Sequence, residues 1–358
     1  MSQEIDNGSK TPSGVPSTGV FGLWSGIGLV IANMVGVGVL TSSGYMARSL
    51  EPRLIIAIWL IQGVLAIVGA RAYAALASAV PRSGGEYRYL SDLIHPSLGC
   101  VAGWCSVLVG FAGPVAANAY AAAAFMALVI PWLPVRLTAV GFVLLITALQ
   151  VRGIGLAKSS QNLLVLLKIG LVVAFVVVGI ALGHNDWSAV AMQDGGAARR
   201  PVLTPFVINL FFASYAYSGW NAAVYAAEEF KNRRKTVPRA MVLGTVFVML
   251  VYLAVAWVFI CNVSGIDMGQ WDETRVTMAH LIVSKLVGPA AASVASVGVA
   301  LVLLSCMSAM MLIGPRVNAA MAVDGFLPRL FIGREGRSPT ASVLLQAGIA
   351  MLLLLTHS

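Results

Sequence analysis

The sequence predicts an all-α membrane protein of about nine transmembrane helices, with the first and sixth interrupted at mid-span. Three observations lead there. The chain is 59% hydrophobic and 10% charged, whereas a soluble domain carries roughly 25% charged residues. Apolar runs long enough to cross a bilayer, which takes about 20 residues, recur along its whole length. Two of these runs carry a small-residue step at corresponding places.

The elements follow in order. Residues 1–20 are polar and rich in Ser, Gly and Pro, and read as a disordered cytoplasmic tail. They lack the basic start and short apolar stretch of a cleaved signal peptide. Apolar runs then fall near 22–46, 54–80, 100–130, 135–151, 162–183, 206–227, 240–262, 287–320 and 340–356. None alternates apolar and polar residues as a membrane barrel strand does, so each is predicted helical. The transmembrane domain, 21–358, divides into a first block of five helices at about 21–184 and an incomplete second at about 204–358. With the N-terminus inside, the tail and the loops 81–99, 152–161, 228–239 and 321–339 hold 13 of the 23 Lys and Arg residues. The opposite segments hold seven. That bias orients the chain with its N-terminus in the cytoplasm and makes it a multi-pass protein of the cell membrane.

The same placement accounts for the net charge of +9 without a nucleic acid partner. Cys100, Cys105, Cys261 and Cys306 show neither metal-ligand spacing nor a disulfide framework, and the four histidines are scattered. No nucleophile–base pair or phosphate loop is visible. Gly36-Val37-Gly38 lacks the third glycine and the preceding strand of a dinucleotide fingerprint. No enzyme activity, cofactor or metal is expected.

The chemistry sits at the interruptions. The first span contains Asn33-Met34-Val35-Gly36-Val37-Gly38, and the sixth contains Tyr215-Ala216-Tyr217-Ser218-Gly219-Trp220-Asn221. Within lipid, a break is tolerated only where it lines a cavity or is buried in protein. Either one alone would also serve as a packing notch. Paired breaks in the first helix of each block point instead to an inverted-repeat transporter fold with its site at the midplane. The amides of Val37, Gly38 and Val39 would start the second half of the first helix, the positive end that suits a carboxylate. Carbonyls around Tyr215 to Ser218 suit an ammonium group. A zwitterionic amino acid offers both charges. No acidic side chain lies well inside a span, which favours a neutral one.

At these residues the chain resembles the amino acid–polyamine–organocation superfamily, and in particular its L-type amino acid transporter branch. YAYSGWNAAVYAAEEFKNRRKTVPRA at 215–240 is similar to that branch's sixth helix and following loop. PRSGGEYRYL at 81–90 is similar to the loop after its second helix, and IGPRVNAAMAVDGFLPRLF at 313–331 to the end of its eighth. The resemblance implies a twelve-helix fold whose first ten helices form two inverted repeats of five, and amino acid transport by exchange or proton coupling. It implies that Tyr215 gates the substrate and that Gly36, Val37 and Gly38 hold its carboxylate. Ser218, Gly219 and Asn221 would line the other side, and Asn33 matches a polar position in relatives that exchange basic amino acids.

Lys168 is predicted about two turns into the fifth helix. A charge there costs at least about 2.5 kcal/mol and marks function by default, although a lysine can snorkel to the surface. Burial disfavours its charged form, which opens proton coupling, and the resemblance implies that its charge stands where sodium-coupled relatives bind an ion. Arg316 is expected to anchor or pair locally, Glu228 and Glu229 to make inner-face ion pairs, and Trp220 to wedge beside the break. Ser305 and Ser308 either face Lys168 or bond their own backbone. Three features depart from the family pattern: Val37 replaces the usual Ser or Thr, Ala75 stands in the second helix where relatives often carry Glu, and the sequence ends directly after the ninth span. The last reads as a fragment or truncated product lacking helices ten to twelve. The alternatives are therefore a carrier of basic amino acids or polyamines, and a non-transporting protein derived from a permease. The partners expected are a small amino acid, the lipid bilayer and protons.

Overall fold

The structure is a computed structural model describing residues 19–36, 38–39, 46, 49–183, 203–262, 278–333 and 339–356. The predicted tail up to residue 18, and Val37, lie outside the described residues.

Helix α1 (Leu23–Met34) is short and apolar and ends where Val35 turns extended; helical backbone resumes at Gly38 and Val39. The next elements are α2 (Pro52–Ala79), α3 (Glu86–Leu93) and a long third span. That span runs through α4 (Pro96–Cys105), a π-helical segment at Ser106–Ala112, and α5 (Gly113–Val129). The wide π turn has a local cause: Pro114 has no N–H to donate, and its ring would crowd the preceding turn of a regular helix. After these come α6 (Val135–Val151) and α7 (Ile154–Leu182). The sixth span is α8 (Leu203–Ala216), a turn at 217–221, and the single helical turn α9 (Ala222–Tyr225). The remaining helices are α10 (Arg233–Asn262), α11 (Met278–Leu286), α12 (Pro289–Val323) and α13 (Thr340–Thr356).

Five of these stretches are long and apolar enough to cross a membrane. Four shorter apolar helices (α1, α6, α8 and α13) fall in the other predicted spans. Two of the four are short for the predicted reason, since the first and sixth spans are broken. One boundary differs from expectation. The polar stretch Lys158 to Asn162 had marked the fifth span's beginning, yet α7 already starts at Ile154. Lys168 therefore lies roughly four turns inside the helix, about 1.5 Å per residue, beyond the reach of snorkelling.

Large apolar side chains such as Val109, Leu166 and Phe211 face outward, as lipid-facing positions do. Helix α12 is the most enclosed of the long helices and packs on α1, α5, α6, α7 and α13. Helices α1 and α10 cross closely because Gly26 faces Ala240 and Gly244 faces Val30, with no room for a larger side chain at either glycine. Buried amides tie helices together: Gln62 donates to the Leu210 carbonyl (3.0 Å), Gln150 to that of Ser308 (3.2 Å), and Gln346 to that of Met310 (3.2 Å). In an apolar medium such bonds satisfy groups that water cannot.

Candidate functional site at the paired breaks

The two breaks meet. A Cβ added to Gly38 would stand 2.9 Å from the Ala216 side chain, so glycine is what lets the two backbones approach there. Gly219 has φ +106°, a conformation that glycine adopts without strain. Its carbonyl accepts a bond from Asn33 Nδ2 (3.4 Å). Between the breaks lies a cavity of about 110 Å³. A single water needs about 10–15 Å³, so there is room for a molecule of several heavy atoms.

Asn33, Gly36 and Gly38 line this cavity from the first span, and Tyr215, Ser218, Gly219 and Asn221 from the sixth. These are the described residues that the sequence singled out around a substrate. Gly110, Pro114 and Asn118 close it from the third span, and Cys306 and Met310 from α12. Asn33 Oδ1 is buried without a hydrogen-bond partner among the described residues. The Cys306 thiol donates to the Asn33 carbonyl (3.6 Å).

Lys168 stands behind this wall rather than in the cavity. It is 1% exposed, and its ammonium donates to the carbonyls of Ala32 (2.8 Å) and Val35, where α1 runs out of backbone partners. Ser305 and Ser308 were alternative neighbours of that lysine. Ser308 Oγ instead accepts from Gln150 (3.4 Å), and Ser305 Oγ is buried with no partner among the described residues.

Tyr252 on α10 is a participant that the sequence did not reveal. It is fully buried, and its hydroxyl lies 2.7 Å from the Met34 carbonyl and 2.9 Å from that of Ala216, the last residues of α1 and α8. Its ring packs edge-on against Trp59 and Tyr217. The carbonyls expected for an ammonium group are thus partly occupied. Ala216 accepts from Tyr252 and Tyr215 accepts from the Ser218 amide. An amphipathic Tyr in an apolar run reads as core, and only the fold shows what its hydroxyl meets. Asn118 was more findable, being a lone polar side chain in an alanine-rich run.

Below the cavity the chain is tied shut. Phe21 forms a parallel bridge with Phe230, its amide donating to the Glu229 carbonyl (3.0 Å) and its carbonyl accepting from Lys231 (2.9 Å). Glu229 also receives Arg316 through a two-pronged ion pair, 2.8 and 3.0 Å, which is the local pairing expected of both. Glu228 makes no ion pair among the described residues; its backbone amide donates to Ser83 Oγ (3.0 Å). Trp220 wedges edge-on against Tyr73 and over Gly69, as expected. Glu86 enters from the start of α3 to meet Asn221 and Tyr225, so a carboxylate reaches the sixth span from the connection between the second and third spans.

Known proteins share this architecture. Mhp1, a nucleobase-cation-symport-1 family transporter in a closed conformation with bromovinylhydantoin bound, superposes with a TM-score of 0.64 at 16% identity. The match covers 97% of this chain and 75% of that one. A Na+-coupled sialic acid symporter in a substrate-bound outward-open state superposes at 0.62 and 13% identity, covering 94% and 75%. The fold is thus that of the inverted-repeat transporters with discontinuous first and sixth helices. In sequence, the rabbit (Oryctolagus cuniculus) large neutral amino acids transporter small subunit 2 is 26% identical over 99% of this chain and 68% of its own length. The serine/threonine exchanger SteT of Bacillus subtilis (strain 168) is 24% identical over 93% and 76%. The chain spans about two-thirds of the length of the mammalian large neutral amino acids transporter small subunits 2, 64% for the human one. Residues 21–358 match the family described as amino acid permease. This multi-pass membrane protein belongs to the amino acid permease family.

Proposed function

We propose that the chain carries neutral amino acids across the membrane, by exchange or by proton coupling, with the paired breaks as its substrate site. The observation that supports this most is the cavity shared by Asn33, Gly36 and Gly38 on one side and Tyr215, Ser218, Gly219 and Asn221 on the other. On this reading Gly36, Val37 and Gly38 receive the carboxylate, and Tyr215 gates the site. The ammonium group goes to the sixth span, where Tyr217 and Ser218 offer carbonyls. Relatives whose names specify neutral amino acids or serine and threonine support the same class. So does the lining, which holds no Asp or Glu among the described residues and so favours a neutral substrate over a basic amino acid or polyamine. Lys168 acts as the coupling group, holding the end of α1 while charged and loosening it when its proton leaves. The two blocks, about 21–184 and 204–358, act as inverted repeats, with the N-terminus cytoplasmic.

Uptake into proteoliposomes tests this. Radiolabelled L-leucine, L-alanine and L-serine should enter, and excess arginine or putrescine should not compete. Dominant competition by arginine or putrescine would move the assignment to basic amines, and absence of any uptake or binding would end it.

A further inference from the structure

Asn221 faces the cavity, but its orientation is set from behind. Its Nδ2 donates to Glu86 Oε1 (2.5 Å) and to Tyr225 Oη (3.1 Å), which engages both amide protons. The Tyr225 hydroxyl in turn donates to the other oxygen of Glu86. The circuit is consistent in only one sense. Turned over, the amide would set its carbonyl oxygen against a carboxylate, two acceptors with no proton between them. Among the described residues no Lys or Arg pairs with Glu86, so its charge rests on these neutral donors. Burial, and next the Glu86 carboxylate, push the nearby Tyr89 phenol above its ordinary value.

We propose that Glu86 is a positioning residue that locks the Asn221 amide with its carbonyl oxygen toward the cavity, as an acceptor for the ammonium group of the substrate. This rests on the amino acid reading above. The chemistry selected is a protonated amine. A carboxylate behind the amide polarises it so that the cavity face is more negative, and a hydroxyl in the amine's place gains less. A neutral amide at residue 86 removes the constraint, because its own N–H could meet the turned-over Asn221 carbonyl and leave N–H groups facing the ligand.

The test is equilibrium binding to purified full-length chain, comparing L-alanine with L-lactate, which carries a hydroxyl in place of the amine. In Glu86→Gln, alanine affinity should drop about tenfold or more, roughly 1.4 kcal/mol, while lactate changes little, so the alanine-to-lactate preference collapses. Glu86→Asp, which keeps the carboxylate, should recover part of the preference. An unchanged preference in Glu86→Gln overturns the proposal and leaves the amino acid reading standing. If Glu86→Gln does not fold, Tyr225→Phe decides: it removes one prong of the clamp, and the preference must fall. Wild-type chain that binds neither alanine nor any other amino acid overturns the functional reading and this proposal with it.

Discussion

Replacing Tyr252 with Phe isolates what holds the two breaks together. The change removes one oxygen from a fully buried position and leaves the ring edge-on against Trp59 and Tyr217. Two carbonyls lose their partner, those of Met34 at 2.7 Å and Ala216 at 2.9 Å. A hydroxyl has one proton, so the two acceptors share a single donor and the loss is bounded near one unsatisfied buried group, about 1–3 kcal/mol. Both carbonyls end a half-helix, where partial negative charge accumulates, so their mutual repulsion acts in the same direction. If the bridge holds the cavity in its binding shape, that energy appears as about 5–150-fold weaker binding. L-Leucine binding to purified Tyr252→Phe should weaken at least about fivefold, with a lower thermal midpoint. Binding within about twofold of wild type at an unchanged midpoint would refute the reasoning, for it would mean the carbonyls find equal partners without Tyr252.

Three other perturbations address neighbouring parts of the site. Gly219→Ala places a Cβ 2.6 Å from Asn33 Nδ2 at a φ of +106°. Such backbone strain costs about 1–3 kcal/mol, so substrate affinity should fall roughly tenfold, and wild-type affinity in a calorimetric titration would contradict this. Lys168→Ala strips the ammonium from the Ala32 and Val35 carbonyls, hydrogen bonds worth about 1.5–3 kcal/mol each to a charged group. Proteoliposome uptake should drop at least about tenfold and lose its response to an imposed pH gradient; a retained response would exclude Lys168 as the coupling group. Burial pushes the Glu228 carboxyl above its ordinary value, against the opposing pull of Ser83 and of Arg233, Arg88 and Arg82. The folded state then binds more protons than the unfolded one just above the ordinary carboxylate range, so stability declines as pH rises through that window. Thermal melts of Glu228→Gln between about pH 4 and 7 should show a flatter dependence, and identical slopes would count against the burial argument.

Apolar length and small-residue steps carried most of the fold, because a bilayer leaves a chain few options. Span positions, the two breaks and the Trp220 wedge were all readable from local sequence. What escaped depended on groups far apart in the chain. Tyr252 meets Met34 across 218 positions, and Glu86 meets Asn221 across 135; no periodicity encodes either. The depth of Lys168 was misjudged for a different reason: Lys158 to Asn162 are polar, so hydropathy ends the span there, whereas α7 carries its hydrogen bonds straight through them. Cys306 blended into a run whose apolar character dominated the reading, whereas Asn118, a lone amide among alanines, carried a signal that was there to find.

The π-helical stretch at Ser106–Ala112 holds about one residue more than regular winding needs for the same angular advance. Deleting one residue there would let the helix relax to regular winding at about 100° per residue, and the faces downstream would keep their directions. Asn118 would stay at the hollow it now borders. A deletion in the regular winding of α4 has no such outlet and would turn everything after it by about 100°. Loss of one residue should therefore be better tolerated inside those seven positions than in the helical turns before them.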